Sequence, residues 1–260
     1  MRVAVAGGTG VVGSLVVARL HAGGHEPVIL ARGTGVDLLA DPAGPGGLTE
    51  RLADVDVVVD VTSTVTTSAR RAIRFFTATT GNLLTAGHDA GVRHHVLLSI
   101  VGIDVVPFGY YQGKLAQEHL VQGAPVPFTI VRATQFHEFA GQILERSSLG
   151  PVALVPQMLS APIAADEVAA VLVELVEGEP QGHATPVRGP REEHVPDLAR
   201  RLLRHRGSGG KVLALPLPGK AGHGMRSGAL IPDDPAVVGT QTFDEWLAHQ
   251  PGGPRPSGPM

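Results

Sequence analysis

The sequence predicts an α/β protein: a doubly wound parallel sheet followed by a small C-terminal region. Three observations carry this. A short apolar run at the N-terminus ends in a glycine-rich turn that opens a helix. Apolar runs of strand length then alternate with helical stretches, the pattern of parallel βαβ units. Past about residue 150 the alternation loosens. The expected organisation is a core over 1–150, a smaller region over 151–250 packed on it, and a disordered tail over 251–260.

The elements follow in order. Val3-Ala4-Val5-Ala6 reads as a buried strand. Val11 to His21 has helical spacing and stops at Gly23-Gly24. Pro27 to Ala31 is the second strand, and a Gly/Pro-rich loop with a short apolar piece at Val36-Asp37-Leu38 follows. Val55 to Val61 is a third strand. A long helix from about Ser68 to Ala90 is closed by Gly91. Val96 to Ser99, a helix from Tyr110 to Val121, and Phe128 to Val131 complete the alternation. Beyond it, Asp166 is expected to cap a helix running through Val176. Further helices are expected over Val195 to Arg204 and Phe243 to His249, with a turn over Gly207 to Gly210.

Composition narrows the function. Of 260 residues, 43% are hydrophobic, enough for a sizeable core. A net charge of −3 with scattered cations gives no footprint for nucleic acid. Without cysteine there is no disulfide, thiolate metal site or Cys nucleophile. His94-His95 and His137-Glu138 lack the spacing of a helical zinc site and read as packed or solvated residues, so no metal is expected. No apolar run approaches the ~20 residues that cross a bilayer. The opening MRVAVAGG lacks the apolar stretch of a secretory signal. A cytoplasmic protein acting on a small molecule, with no membrane or nucleic-acid partner, is expected.

The turn Gly7-Gly8-Thr9-Gly10-Val11-Val12-Gly13 has GxxGxxG spacing between strand and helix. Gly7 permits a sharp turn, Gly10 admits a pyrophosphate to the backbone, and Gly13 lets helix and sheet close up. The helix N-terminus then meets the phosphates. This is the Rossmann arrangement for a nicotinamide dinucleotide. The second strand ends in Ala31-Arg32 rather than in an acid. A guanidinium suits a 2′-phosphate, so the cofactor reads as NADP(H). Asp37 is either an adenine contact or a turn residue. Val61, Thr62 and Ser63, at the end of the third strand, are expected beside the cofactor.

Both tyrosines, Tyr110 and Tyr111, are adjacent, and Lys114, one of three lysines, follows Tyr110 with YxxxK spacing. On a helix these share a face, so the ammonium can favour the Tyr110 phenolate. Tyr110 is then a general acid or base. Ser99, ending the preceding strand, can bond the substrate oxygen. Another reading keeps Lys114 on the ribose hydroxyls and gives Tyr110 no catalytic part. Tyr111, Gln135, Phe136 and His137 are candidate substrate contacts.

AGGTGVVG, VDVVVDVTS, TGNLLTAGHDAGVRHHVLLSIVG, GYYQGKLAQE and FTIVRATQFHEF, with TFDEWLA near the end, resemble the atypical short-chain dehydrogenase/reductases. Within them the chain is similar to the NmrA-like NAD(P)H-binding proteins. The resemblance implies a Rossmann core with a small C-terminal substrate region. It also implies a catalytic Tyr/Lys pair, or a Lys alone. Some NmrA-like proteins sense the dinucleotide without turnover. The gap from Ser99 to Tyr110 is shorter than the usual Ser–Tyr–Lys arrangement. The leading expectation is an NADP-dependent oxidoreductase moving a hydride to or from a carbonyl, enone or quinone. The alternatives are an NADP(H)-sensing regulator and an epimerase or dehydratase with held cofactor.

Overall fold

The computed structural model describes residues 1–44, 47–233 and 235–252. The elements β1 (Arg2–Ala6), α1 (Val11–Ala22), β2 (Glu26–Leu30), α2 (Leu48–Arg51) and β3 (Val57–Asp60) come first. Next are α3 (Ala69–Asp89), β4 (His94–Ile100), α4 (Gly109–Gln122), β5 (Phe128–Ala133), α5 (Phe139–Ser147) and β6 (Ser148–Leu149). They are followed by β7 (Val152–Pro156), β8 (Leu159–Ser160), α6 (Ala165–Glu177), β9 (Gly182–His183) and β10 (Val187–Arg188). The chain continues with β11 (Glu193–His194), α7 (Val195–His205), β12 (Lys211–Leu215), α8 (Gly219–Arg226), β13 (Val237–Val238) and α9 (Phe243–Ala248). From residue 253 on, the expected tail lies outside the described residues.

The chain divides into two units, and the division differs from a boundary at residue 150. One unit holds residues 1–133 and 165–186; the other holds 134–164 and the chain from 187. The reason is α6. Its apolar residues Val168, Ala169 and Leu172 are buried, and it packs along α1. Asp166, expected as the cap, sits in its first turn and instead pairs with Arg19 at 2.9 Å. The strand β9 that follows joins the sheet beside β5.

In the first unit the order is β2-β1-β3-β4-β5-β9, with every pairing parallel. The chain leaves β1 toward β2 on one side and resumes with β3 on the other. The carboxyl ends of β1 and β3 thus flank a crevice at the switch point. Val3, Ala4, Val5 and Ala6 have no exposure, as a central parallel strand requires. Helix α3 buries Ala72, Phe76, Thr79, Thr80 and Leu83, one stripe at helical spacing. Ser68 caps it, and Gly91 ends it with φ +77°.

Helices α3 and α4 pack on each other through two glycines one turn apart. A Cβ on Gly109 would lie 2.1 Å from the Thr67 carbonyl oxygen; one on Gly113 would lie 2.6 Å from Ala72 Cβ and 2.9 Å from the Phe76 ring. Tyr110 and Lys114 each follow one of these glycines, so the close approach of the helices sets where both side chains emerge.

In the second unit β12-β7-β6 form a small sheet, β8 pairs with β11, and β10 pairs with β13. Helix α7 packs on α5. Arg201 of α7 joins Glu193 at 2.6 Å and Asp244 at 2.9 Å, and lies over the Phe243 ring. A reciprocal cap between Thr242 and Glu245 starts α9. The small strands and α2, α5 and α8 are not predicted by the sequence pattern.

Gly113→Ala tests the helix contact. Alanine inside a helix normally gains about 1 kcal/mol over glycine, whereas overpacking costs about 1–3 kcal/mol. The added Cβ meets main chain as well as side chain, so the expected result is a lower urea midpoint. An equal or higher midpoint would mean that α3 and α4 separate at no cost.

Candidate functional site

The glycine turn closes between β1 and α1 as its spacing requires. Gly7 has φ +83°, and a Cβ there would lie 2.9 Å from the Val61 carbonyl oxygen and 3.3 Å from Thr62 Cα. A Cβ on Gly13 would lie 2.2 Å from the Gly7 carbonyl oxygen. A Cβ on Gly10 would meet only that same oxygen, at 3.3 Å, and otherwise project into open space. No side chain caps the N-terminus of α1, so its N–H groups face the crevice without a side-chain acceptor. The backbone of Gly8, Thr9, Val11 and Val12 belongs to this cradle. A pyrophosphate fits it on two counts: a helix start without a side-chain cap, and an approach that glycine alone leaves open.

At the end of β2, Arg32 opens a single helical turn and is exposed. Asp37 acts as a turn residue, with its carboxylate accepting the Leu39 N–H at 3.0 Å. Val61, Thr62 and Ser63 follow β3 directly beneath the glycine turn. Thr62 is buried, and Ser63 is exposed.

Ser63, expected beside the cofactor, makes a contact that the spacing does not predict. Its hydroxyl lies 3.0 Å from the Tyr110 hydroxyl. Ser99, expected to bond the substrate oxygen, is 2% exposed, and its Oγ is buried without a protein partner. Lys114 also departs from the expectation. Its ammonium donates to the Leu98 carbonyl at 2.8 Å and to Gln117 Oε1. The cause lies in the sheet. The β3–β4 ladder ends at Asp60–Leu97, so Leu98 stands one residue past it and takes its donor from Lys114. Phe76 meets both residues: the Lys114 nitrogen is 4.9 Å from its ring centre, and the Tyr110 ring is 5.5 Å away edge-on.

Sequence reasoning missed Asp60, Thr80, Gln117 and His95. Asp60 has no exposure, yet accepts four hydrogen bonds. Thr62 donates its N–H at 3.0 Å and its hydroxyl at 2.6 Å. Thr80 donates at 2.8 Å and the Gln117 amide at 3.0 Å. Burial pulls the Lys114 ammonium down to about 8; the carboxylates of Asp60 and Glu118 oppose that fall. Burial likewise lowers His95, whose Nε2 is 4.0 Å from Asp60, and takes His94 down to about 4. Both histidines are packed rather than solvated. The one available signal was Asp60 itself, an acid at the end of a run of three valines.

Tyr111, expected at the substrate, is 5% exposed and packs edge-on against Phe108. In the second unit Gln135 is buried and accepts a hydrogen bond from Ser160. His137 is wholly buried against Phe243 and Trp246, with Nε2 3.0 Å from the Gln241 carbonyl oxygen. Both hold that unit together, leaving half-buried Phe136 as the more accessible of the three. The same unit has a concavity of about 370 Å³ lined by residues including Leu159, Arg188, Ser227 and Ile231. The Arg188 Nε there is buried without a partner, a donor that a ligand oxygen could take up.

A family model described as NAD(P)H-binding matches residues 7–179. The chain belongs to this NAD(P)H-binding family. The matched stretch runs from the glycine turn past α6 and so spans the cradle, Ser63 and α4. No curated protein matches in sequence. Among solved structures, an NADPH-dependent quinone oxidoreductase from Escherichia coli, complexed with NADPH, aligns with TM-score 0.69 at 19% identity, covering 95% of this chain and 99% of that one. A nucleoside-diphosphate-sugar epimerase from Staphylococcus aureus aligns at 0.68 and 15%, covering 95% and 99%. The triphenylmethane reductase of Citrobacter sp., complexed with NADP(H), aligns at 0.65 and 16%, again covering 95% and 99%. These likenesses show a shared fold, that of the short-chain dehydrogenase/reductases. Among the described residues no helix is long and apolar enough to cross a membrane.

Two predictions follow from the NAD(P)H cradle and the buried lysine. Gly13→Ala should remain folded by circular dichroism but lose the rise in melting temperature that NADPH confers on the parent; a retained rise would mean that the cradle is not the binding site. The second concerns pH. The unfolded chain holds the Lys114 proton up to about 10.5, the folded chain only to about 8. Stability contributed at this residue therefore rises with pH across that window, because the unfolded state binds more protons. The stability of the parent minus that of Lys114→Met, from urea titrations at pH 7 to 10, should increase with pH. A constant difference would contradict the burial of a charged amine.

Proposed function

We propose that the protein is an NADP(H)-dependent oxidoreductase acting on a small carbonyl, enone or quinone. What supports this reading above all is contiguity at one end of the first unit's sheet. The glycine cradle rests on Val61 and Thr62, Ser63 comes next, and its hydroxyl meets the Tyr110 phenol. A dinucleotide lying across the switch point would have its pyrophosphate at α1 and its nicotinamide end toward this phenol. NADPH bound there would supply the hydride.

The side chains supply the rest. Arg32 offers its guanidinium to the 2′-phosphate. Tyr110 donates a proton to the substrate oxygen, and Ser63 orients the phenol. Lys114 contributes a buried positive charge behind the Phe76 ring, favouring negative charge nearby.

A second reading, an NADP(H) sensor without turnover, draws on the same burial of Lys114, whose ammonium bonds to Leu98 and Gln117. The deciding experiment is NADPH oxidation against a panel of benzoquinones, enones and aldehydes. We expect turnover on at least one class, a fall of about 10²–10⁴-fold in kcat for Tyr110→Phe, and a raised KM for NADPH but not NADH in Arg32→Ala. Tight NADPH binding with no turnover across the panel would establish the sensor instead. Full turnover in Tyr110→Phe would remove the phenol from the mechanism.

A further inference from the structure

Tyr110 and Lys114 lie one turn apart on α4, and the short route between them runs along that helix. The hydrogen bonds take a longer one. From the phenol they pass to Ser63 Oγ at 3.0 Å. Ser63 is bonded in sequence to Thr62, whose N–H and hydroxyl both donate to Asp60 Oδ1. The other oxygen, Oδ2, accepts from Thr80 and from the Gln117 amide. Gln117 Oε1 in turn accepts from the Lys114 ammonium.

The orientation of Gln117 is dictated by its neighbours. An ammonium can only donate and a carboxylate can only accept, so the amide must turn its oxygen to Lys114 and its nitrogen to Asp60. The Gln117 nitrogen also donates to the Thr80 hydroxyl at 2.8 Å, and that hydroxyl passes its own proton to Asp60. The directions are consistent around the ring. Every member except Ser63 and Tyr110 is buried.

We propose that Asp60 is the positioning residue of this site: one buried carboxylate sets both the Tyr110 phenol, through Thr62 and Ser63, and the Lys114 ammonium, through Gln117. Its value to catalysis rests on the reading of Tyr110 and Lys114 given above; the wiring does not. Both ends of the ring depend on a single anion, so a disturbance at Asp60 reaches both. The charged and titratable groups around the ammonium are few. Asp60 faces it from β3, and His95 of β4 lies behind Asp60. Glu118 is on its own helix and is taken up by Arg132 of β5 at 2.9 and 2.7 Å. From α3 comes only the uncharged Phe76 ring. Apolar replacement of buried charges is often neutral for stability, which fits a lysine wired to an aspartate that serves position.

The chain's composition makes the test direct. With three lysines and two tyrosines, protein labelled at lysine ¹³Cε and tyrosine ¹³Cζ gives few signals, assigned by Lys211→Arg, Lys220→Arg and Tyr111→Phe. The full chain without cofactor is titrated by NMR in four forms: parent, Asp60→Asn, Thr80→Val and Gln117→Met. Thr80→Val is nearly isosteric and removes one donor from Asp60 and one acceptor from Gln117, with Lys114 and Ser63 themselves unchanged; it serves where Asp60→Asn fails to fold. We expect Asp60→Asn and Thr80→Val to lower the Lys114 midpoint and to move the Tyr110 resonance together. Gln117→Met removes both the Lys114 acceptor and a donor to Asp60, so it should lower the Lys114 midpoint by about one pH unit and shift the Tyr110 resonance as well. Lys211 and Lys220 should not move. A folded Asp60→Asn or Thr80→Val in which the Lys114 midpoint or the Tyr110 resonance keeps its parental value would overturn the proposal. Because no cofactor or substrate is present, a failed turnover assay leaves this result standing, and the reverse also holds.

Discussion

A carboxylate removed from water must have its lone pairs occupied, or it loses its charge. That constraint organises the first unit. Asp60 ends β3 with no exposure, and its neighbours are arranged to donate to it from three directions: the turn after β3, helix α3 and helix α4. The donors come from the elements that would line a cofactor crevice. Their common acceptor ties a strand end to two helices at the point where the sheet changes direction.

Close packing makes that arrangement possible. Thr80 lies on α3 and Gln117 on α4; both reach Asp60 because Gly109 and Gly113 let the helices approach without side chains between them. Phe76 fills the space that remains and lies against both Tyr110 and Lys114. The polar ring and the apolar contact are therefore one construction. The glycines bring the helices together, the aromatic ring sets their separation, and the hydrogen bonds set their register on the strand.

Much of the fold was legible in the residues. The alternation of apolar runs and helices follows from burial on both sheet faces, and β1, α1, α3, α4, β5 and α7 fall within a few residues of where the spacing put them. The glycine turn was legible because Gly7 and Gly13 answer steric needs that no other residue meets. Two kinds of information were not. The return of α6 and β9 to the first unit depends on a contact with α1 that no local pattern encodes. Strands such as β12, with Leu213 largely exposed, carry little periodic signal. The site was half readable: Tyr110, Lys114 and Ser63 were named, but their pairing was not. Helical spacing says which residues share a face; it does not say that a nearer carbonyl, left open where β3 stops, will claim the ammonium first.

The interleaving of the two units bears on how the chain is made. Residues leave the ribosome in order, and domains commonly fold as they emerge. Here the first unit is not complete when β5 appears. The whole stretch from 134 to 164, which belongs to the other unit, must be synthesised before α6 and β9 can cover α1 and the flank of β5. For that interval one apolar face of α1 and one sheet edge stand open to solvent, the kind of surface that chaperones bind and that pairs with other unfinished chains.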